Sequence, residues 1–295
     1  MSLPQDETLA RLVAEAERLA GREPDQARAL LREALARDPA HLGAHNLRER
    51  IDPLSSYRRW MRIECAIHPE DDIFRFFAAD PGCRDPIRAY LADGWRSLVE
   101  LMVPLERLGR PLLGLRSVLE FAAGFGRLSR HLAPLLGERL TAMELLPAAL
   151  RFLEGTLGVR ALPSSRDPAG LDPGGRYELV FALSFFTHLP PARWEAWLAA
   201  LGRALAADGV LLFTTHGEAA MAEYGLRSGE PFVFLASSES RALDPEDYGT
   251  TFARAEAVRA LLDRAFPGAR IEHLPRAFWL AQDAWIILPA GGACG

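Results

Sequence analysis

Ser117 to Leu132 constrain the fold of this chain more than any other stretch. Val118, Leu119 and Phe121 read as a buried strand. Ala122, Ala123, Gly124 and Gly126 then form a turn of small residues, where a ligand can approach the backbone. Leu128, Leu132, Leu135 and Leu136 follow at helical spacing and predict a helix packed back on the sheet. Strand, small-residue turn and helix start make the junction at which open α/β sheets hold a nucleotide-like ligand. The acidic Glu120 ends the strand. Ala122 replaces the first glycine of a dinucleotide fingerprint, and Ser129 takes its third small position.

At 295 residues and 49% hydrophobic, the chain can bury one α/β core and an extra module. A net charge of -5 gives no electrostatic case for nucleic acid. The one basic patch, Arg58, Arg59 and Arg62, reads as the solvated face of a helix. Cys65, Cys83 and Cys294 are odd in number and lack metal spacing, which suits a reducing cytoplasm. No His, Cys and carboxylate set has ligand spacing, so no metal is expected. Met1 to Glu7 lack a signal pattern, and no apolar run reaches the roughly 18 residues of a membrane span. The chain contains no lysine, which excludes Schiff-base chemistry.

Helical periodicity fills the first third. Leu9, Leu12, Val13, Ala16, Leu19 and Ala20 share a face, and Gly21 ends that helix. A second starts at Pro24 or Asp25 and buries Ala27, Leu30, Leu31, Ala34 and Leu35. It stops at Asp38, because Pro39 disfavours helix in the residue before it. A third begins near His41 and carries Leu42 and Leu47. This pattern resembles one tetratricopeptide-type unit, and no second copy follows to make an array. Residues 1–51 read as a helical cap, or as a module for a protein partner. Residues 52–114 read as a mostly helical cover. There Asp85 caps a helix opened by Pro86. Its expected core stripe is Ile87, Tyr90, Leu91, Trp95, Leu98, Val99 and Met102, and Pro104 is expected to end or kink it.

From Leu115 strands and helices alternate, which predicts a mainly parallel sheet. Strands are expected at about 116–121, 139–144, 159–162, 177–183, 210–215, 270–274 and 283–288. The last two are joined without a helix, so they should be antiparallel. Residues 217–250 are too long for a simple crossover and read as a lid or substrate-binding insertion, before a helix at about 252–265. Its Tyr224, Phe232, Phe234 and Tyr248 either stack on an acceptor or plug the sheet edge. Glu144 ends the second strand, where an acidic side chain can accept from ribose hydroxyls.

The pattern from Glu120 to Gly126, acidic-x-small-x-Gly-x-Gly, resembles motif I of class I S-adenosylmethionine-dependent methyltransferases. Tyr177 to Val180, Leu183 to Leu189, Ala207 to Leu212 and the antiparallel closing strand strengthen the resemblance. Phe213 to Gly217 and Gln282-Asp283 are similar to segments of bacterial members of unassigned substrate. The resemblance covers 115–289, about 60% of the chain. It implies a domain over 115–295 with a Rossmann-like sheet of seven strands, the last antiparallel, and an N-terminal helical region. It departs from the family at Ala122 and Ala123, where Gly and then Cys, Ser or Gly are usual. It departs again at Ser164 and Ser165, near the position where an Asp often meets the adenine amine.

The cofactor implied is S-adenosylmethionine. Glu120, Phe121, Ala122, Ala123, Gly124 and Gly126 would surround its methionine part, and Glu144 and Leu145 its ribose and adenine. Ser164 and Ser165 would flank the base, and Leu183 and Ser184 would close beneath the sulfonium. His188 and His216 follow the fourth and fifth strands, so the fold brings both to one rim. An imidazole there suits proton removal from a hydroxyl of a small-molecule or glycan-type acceptor. His188 reads equally as a structural residue of the loop before Pro190 and Pro191. The Ala122-Ala123 turn keeps open a different class of function, an inactive fold that binds partners. A NAD-linked dehydrogenase is disfavoured by the terminal strand pair and by the lack of lysine.

Overall fold

The helical periodicity of the first fifty residues is realised as α1 (Leu3–Leu19), α2 (Pro24–Arg37) and α3 (Leu42–Ile51). The computed structural model describes residues 3–52, 57–227, 229–238 and 240–290, so Cys294 lies outside the described residues. Ala16, Ala27, Leu31, Ala34 and Ala44 are fully buried at the centre of these helices. Their small volume lets helices approach closely. His41 starts α3 by accepting the Ala44 N–H on Nδ1 at 3.0 Å.

The chain continues through α4 (Tyr57–Met61), α5 (Asp72–Ala79) and α6 (Pro86–Arg107). Polar side chains of α3 hold the main chain that follows. Asn46 exchanges two hydrogen bonds with the backbone of Ile67, and His45 Nε2 donates to the Cys65 carbonyl. Asp71 accepts the Phe74 N–H as the α5 cap and the Tyr90 hydroxyl at 2.6 Å. Asp85 caps α6 through the Arg88 N–H, as expected.

Three expectations fail in this region. Arg62 lies beyond the end of α4, in a left-handed conformation with φ 58°. Pro104 is accommodated inside α6, which continues to Arg107. Trp95 is 55% exposed and Val99 45%, whereas Tyr90 is fully buried. Positions 95 and 99 continue the row of the buried Ile87 and Leu91, and beyond Leu91 the buried side of the helix shifts to Leu98, Leu101 and Leu105. The chain divides into two compact units, Met1–Gly94 and Trp95–Gly295. The division falls inside α6, twenty residues before the boundary read from the sequence.

The second unit contains β1 (Val118–Phe121), α7 (Ser129–Leu136), β2 (Leu140–Glu144), α8 (Pro147–Gly155) and β3 (Arg160–Pro163). It continues with β4 (Tyr177–Ala182), α9 (Trp194–Arg203), β5 (Leu205–His216) and α10 (Glu218–Glu223). Then come β6 (Phe232–Leu235), β7 (Thr250–Ala253), α11 (Ala255–Ala265), β8 (Arg270–Phe278) and β9 (Gln282–Leu288). The parallel order is β3-β2-β1-β4-β5. β9 runs antiparallel to β5, and β8 antiparallel to β9. These are the seven strands expected from sequence. The β6–β7 hairpin adds two more, with β7 joining β5 through the pair His216 and Phe252. Thr250 to Ala253 is therefore strand, and the helix expected from 252 begins at Ala255.

The main core packs Trp194, Trp197, Leu198 and Leu201 of α9 and Val258 and Leu262 of α11 with Val180, Leu211, Phe213 and Trp285 of the sheet. β1, β2 and β4 are buried along their whole length, as strands in the middle of a parallel sheet must be. Among the described residues, no helix is long and apolar enough to cross a membrane.

Tyr90→Phe leaves the buried Asp71 short of one donor. It should cost about 1–3 kcal/mol, the desolvation of an acceptor that loses its partner. Urea denaturation followed by circular dichroism checks this.

Candidate functional site

The C-terminal ends of β1, β2, β4 and β5 form one rim, the place where open parallel sheets leave a crevice. Nearly all residues singled out in the sequence lie along it.

After β1 the chain turns sharply. Ala122 takes φ 57°, Gly124 φ 58° and Gly126 φ 74°. The left-handed region costs a non-glycine residue roughly 1–2 kcal/mol, so the Ala122 turn is strained where a glycine would be relaxed. The Ala123 N–H donates to the Met143 carbonyl and the Gly126 N–H to the Ala123 carbonyl. The two glycines differ in purpose. A Cβ on Gly124 would meet nothing within 4 Å, so this backbone faces open space. A Cβ on Gly126 would lie 2.3 Å from Leu157 Cδ1, so that glycine lets the loop pack on α8 and faces no ligand space. Phe121 likewise turns away from the rim. Its ring is 2% exposed and packs against Phe185 and Trp197.

Two carboxylates are buried here. Glu120 accepts the Ser129 hydroxyl at 2.6 Å, which ties β1 to the first turn of α7. Burial pushes its carboxyl up to about 7; the Ser129 bond and the charge of Arg127 oppose this, and the charge of Glu144 adds to it. Glu144 is buried rather than exposed. Its Oε2 accepts the Gly124 N–H at 2.7 Å, and its Oε1 accepts the N–H groups of Leu145 and Leu146 at 2.6 and 3.0 Å. Burial raises this carboxyl too, against the pull of those three bonds. A carboxylate has about four acceptor sites, so the main chain leaves one, on Oε2.

Leu145 is half-buried at the same rim. Ser164 continues β3 by donating its N–H to the Glu144 carbonyl at 2.8 Å. Ser165 uses its hydroxyl to accept the Asp167 N–H, closing a local turn. Leu183 and Ser184 are half-buried just beyond β4.

His188 and His216 come together as expected. His188 Nδ1 donates to the Gly249 carbonyl at 2.7 Å, and its ring stacks on Tyr248. His216 Nδ1 lies 3.2 Å from the Thr251 carbonyl, and its ring stacks on Phe252. A carbonyl can only accept, so in the neutral rings the proton sits on Nδ1 and the lone pair on Nε2. Burial, then the like charge of a protonated His188, lower His216 to about 4. His216 is therefore neutral across the physiological range. Gly217, the next residue, is buried. A Cβ there would fall 2.2 Å from Asp283 Oδ2. Asp283 in turn accepts from His273 Nε2 and the Arg276 N–H.

Several site features carried no usable sequence signal. The carbonyls of Gly249 and Thr251 are backbone groups at the start of β7, where the sequence predicts the end of an insertion and the start of a helix. Gln282 reaches Ser184 across 98 positions of chain. Trp279 donates its N–H to Glu100 and its indole Nε1–H to Ser97, and Arg127 lies over its ring. Among the described residues no His, Cys and carboxylate group could hold a metal ion.

A family model described as a methyltransferase domain matches residues 118–209, which span β1 to the first half of β5. The sheet order, with one antiparallel strand inserted beside β5, is that of the class I fold. Magnesium protoporphyrin IX methyltransferase from Synechocystis PCC 6803, with bound SAH, shares that fold: 15% identity and a TM-score of 0.50 over 74% of this chain and 94% of the other. Streptomyces venezuelae DesVI gives 16% and 0.49 over 74% and 98%. An S-adenosylmethionine-dependent methyltransferase from Clostridium acetobutylicum ATCC 824 gives 12% and 0.49 over 66% and 92%. No curated protein matches the chain.

Three variants test the geometry of this rim. Gly126→Ala should destabilise the fold by about 1–3 kcal/mol through overpacking and left-handed strain. Gly124→Ala should cost about 1–2 kcal/mol in left-handed strain alone and act mainly on ligand affinity. Denaturation and calorimetric titration of both variants separate the two. Glu120 binds its proton more tightly folded than unfolded, so its contribution is full below about 4.5 and lost as pH rises to about 7. Glu120→Gln should flatten the decline in stability across that window, measured by denaturant midpoints at a series of pH values.

Proposed function

We propose that the methyltransferase domain transfers the methyl group of S-adenosylmethionine to a hydroxyl of a small-molecule or glycan-type acceptor. The observation that carries this reading is the pair of histidines on the rim. Each is held by Nδ1 on a carbonyl of the segment around β7, and the Gly124 turn lies two strands away. The fold shared with magnesium protoporphyrin IX methyltransferase, which is described with bound SAH, supports the cofactor class.

The residues present fit the cofactor. Gly124 offers open backbone, Glu144 Oε2 one acceptor for a ribose hydroxyl and Leu145 apolar surface for the base, while Leu183 and Ser184 would close beneath the sulfonium. Glu120, Ala122 and Ala123 set the turn that places Gly124. Ser164 and Ser165 would stand beside the base, with the Ser164 N–H bonded to the Glu144 carbonyl. Bound there, S-adenosylmethionine supplies an already activated methyl group. What remains for the chain is alignment and exclusion of water, and positioning of this kind is worth about 7–11 kcal/mol.

The acceptor proton falls to the histidines. His216 carries its lone pair on Nε2 at every pH above about 4. His188 beside it can take or pass the proton. Tyr248 stacks on His188, Phe252 stacks on His216, and Gln282 pairs with His216 across the sheet; none of these bears a charge. The burial that keeps His216 neutral equally disfavours an ammonium acceptor. A neutral hydroxyl fits the site better than a protonated amine.

Methyl-labelled cofactor with a panel of hydroxylated and amine-bearing small molecules and glycans tests the reading. Labelling of hydroxyl acceptors supports it; labelling confined to amines overturns the oxygen assignment. Glu144→Ala should abolish binding of S-adenosylmethionine and S-adenosylhomocysteine in calorimetry. Cofactor binding with no acceptor labelled would favour a binding protein on a methyltransferase fold. His216→Ala should lower turnover by about 10²-fold or more with cofactor affinity retained. The acidic limb of the wild-type pH profile should lie well below the ordinary histidine value of 6.5, because His216 protonates only near 4.

A further inference from the structure

Ser184 is a non-glycine residue at φ 55°, directly beyond the central strand β4. Such a conformation persists only where the surroundings over-determine it. Here they do. The Ser184 N–H donates to Thr214 Oγ1 at 2.8 Å, and its carbonyl accepts the Thr187 hydroxyl at 2.8 Å. Its hydroxyl meets the amide of Gln282, 3.0 Å from Nε2 and 3.2 Å from Oε1. Every polar group of the residue is therefore held. The third holder is the least expected. Gln282 is the first residue of β9, 8% exposed, and pairs with His216 at the end of β5.

The sheet order gives this contact its meaning. Glu144 and Gly124 stand over β2 and β1, and the histidines stand beyond β4 and at the end of β5. A ligand anchored at the first pair and reacting at the second must pass over β4, where Ser184 lies. We propose that Gln282 is a positioning residue: acting through the Ser184 hydroxyl, it fixes the wall of the cofactor site against which the transferred methyl group rests. The inference rests on the cofactor reading above and adds a residue to it. Gln282 reaches no reacting atom itself. It holds a strained turn that does, and its place on β9 ties that turn to the strand carrying His216.

The test uses binding to the full chain and needs no acceptor. S-adenosylhomocysteine lacks the methyl group and its charge, whereas sinefungin carries an amine-bearing carbon in their place. In Gln282→Ala the Kd for sinefungin should rise about tenfold, while that for S-adenosylhomocysteine stays within about threefold of wild type. Ser184→Ala should behave the same way, and the double variant should be no worse than either single, since both remove one interaction. Gln282→Leu, of similar volume, repeats the measurement if the alanine variant loses its thermal transition. Equal effects on both ligands, or multiplied effects in the double variant, overturn the inference while leaving the cofactor reading intact. Wild-type protein that binds neither ligand overturns the cofactor reading and this inference with it.

Discussion

The carboxylate of Glu144 joins the ends of two parallel strands. Three backbone N–H groups converge on it, one from the turn after β1 and two from its own strand end. Without that acceptor the Gly124 N–H and two donors at the start of α8 would be left unpaired in a half-buried rim. Glu120 does the matching work one strand over, tying β1 to α7 through Ser129. The two acids thus set the small-residue turn between them, and the cost of burying them shows in their raised carboxyl values.

The rim that results is a strained one. Among the described residues of the second unit, Ala122, Ser184, Arg276, Trp279 and Leu280 take left-handed backbone without being glycine. Ala122 and Ser184 follow adjacent strands; Arg276 lies at the irregular end of β8, and Trp279 and Leu280 form the β8–β9 turn. Side-chain bonds hold each region in place: Gln282 and Thr214 on Ser184, Glu100 and Ser97 on Trp279. Strain held in this way is a mark of sites where a ligand's geometry must be met without rearrangement.

The β6–β7 hairpin completes the reactive side. β7 extends the sheet where β4 has ended, pairing with His216, and the Gly249 and Thr251 N–H groups donate to the His188 and Thr187 carbonyls of the loop after β4. The same stretch offers the Gly249 and Thr251 carbonyls that fix both imidazole tautomers. The insertion therefore orients the histidines as well as covering them. The aromatic residues noted there divide accordingly: Tyr248 stacks on His188, while Phe232 packs against Trp194 in the core.

Local chemistry determined much of this protein without reference to the fold. The periodic leucines, the caps at Asp85 and His41 and the continuous apolar runs of β1 and β4 are short-range properties, written into neighbouring residues. The strand-turn-helix at 118–132, and the helix-free link that makes β8 and β9 antiparallel, follow from the same kind of signal. The two histidines were legible because a parallel sheet sends successive strand ends to one rim. Tertiary structure alone decided the rest. The occupancy of Glu144 by main-chain donors, the packing duty of Gly126, the exposure of Trp95 and the reach of Gln282 to Ser184 all depend on contacts between distant segments. Backbone donors and acceptors are the same at every residue, so no sequence pattern reveals which of them will meet.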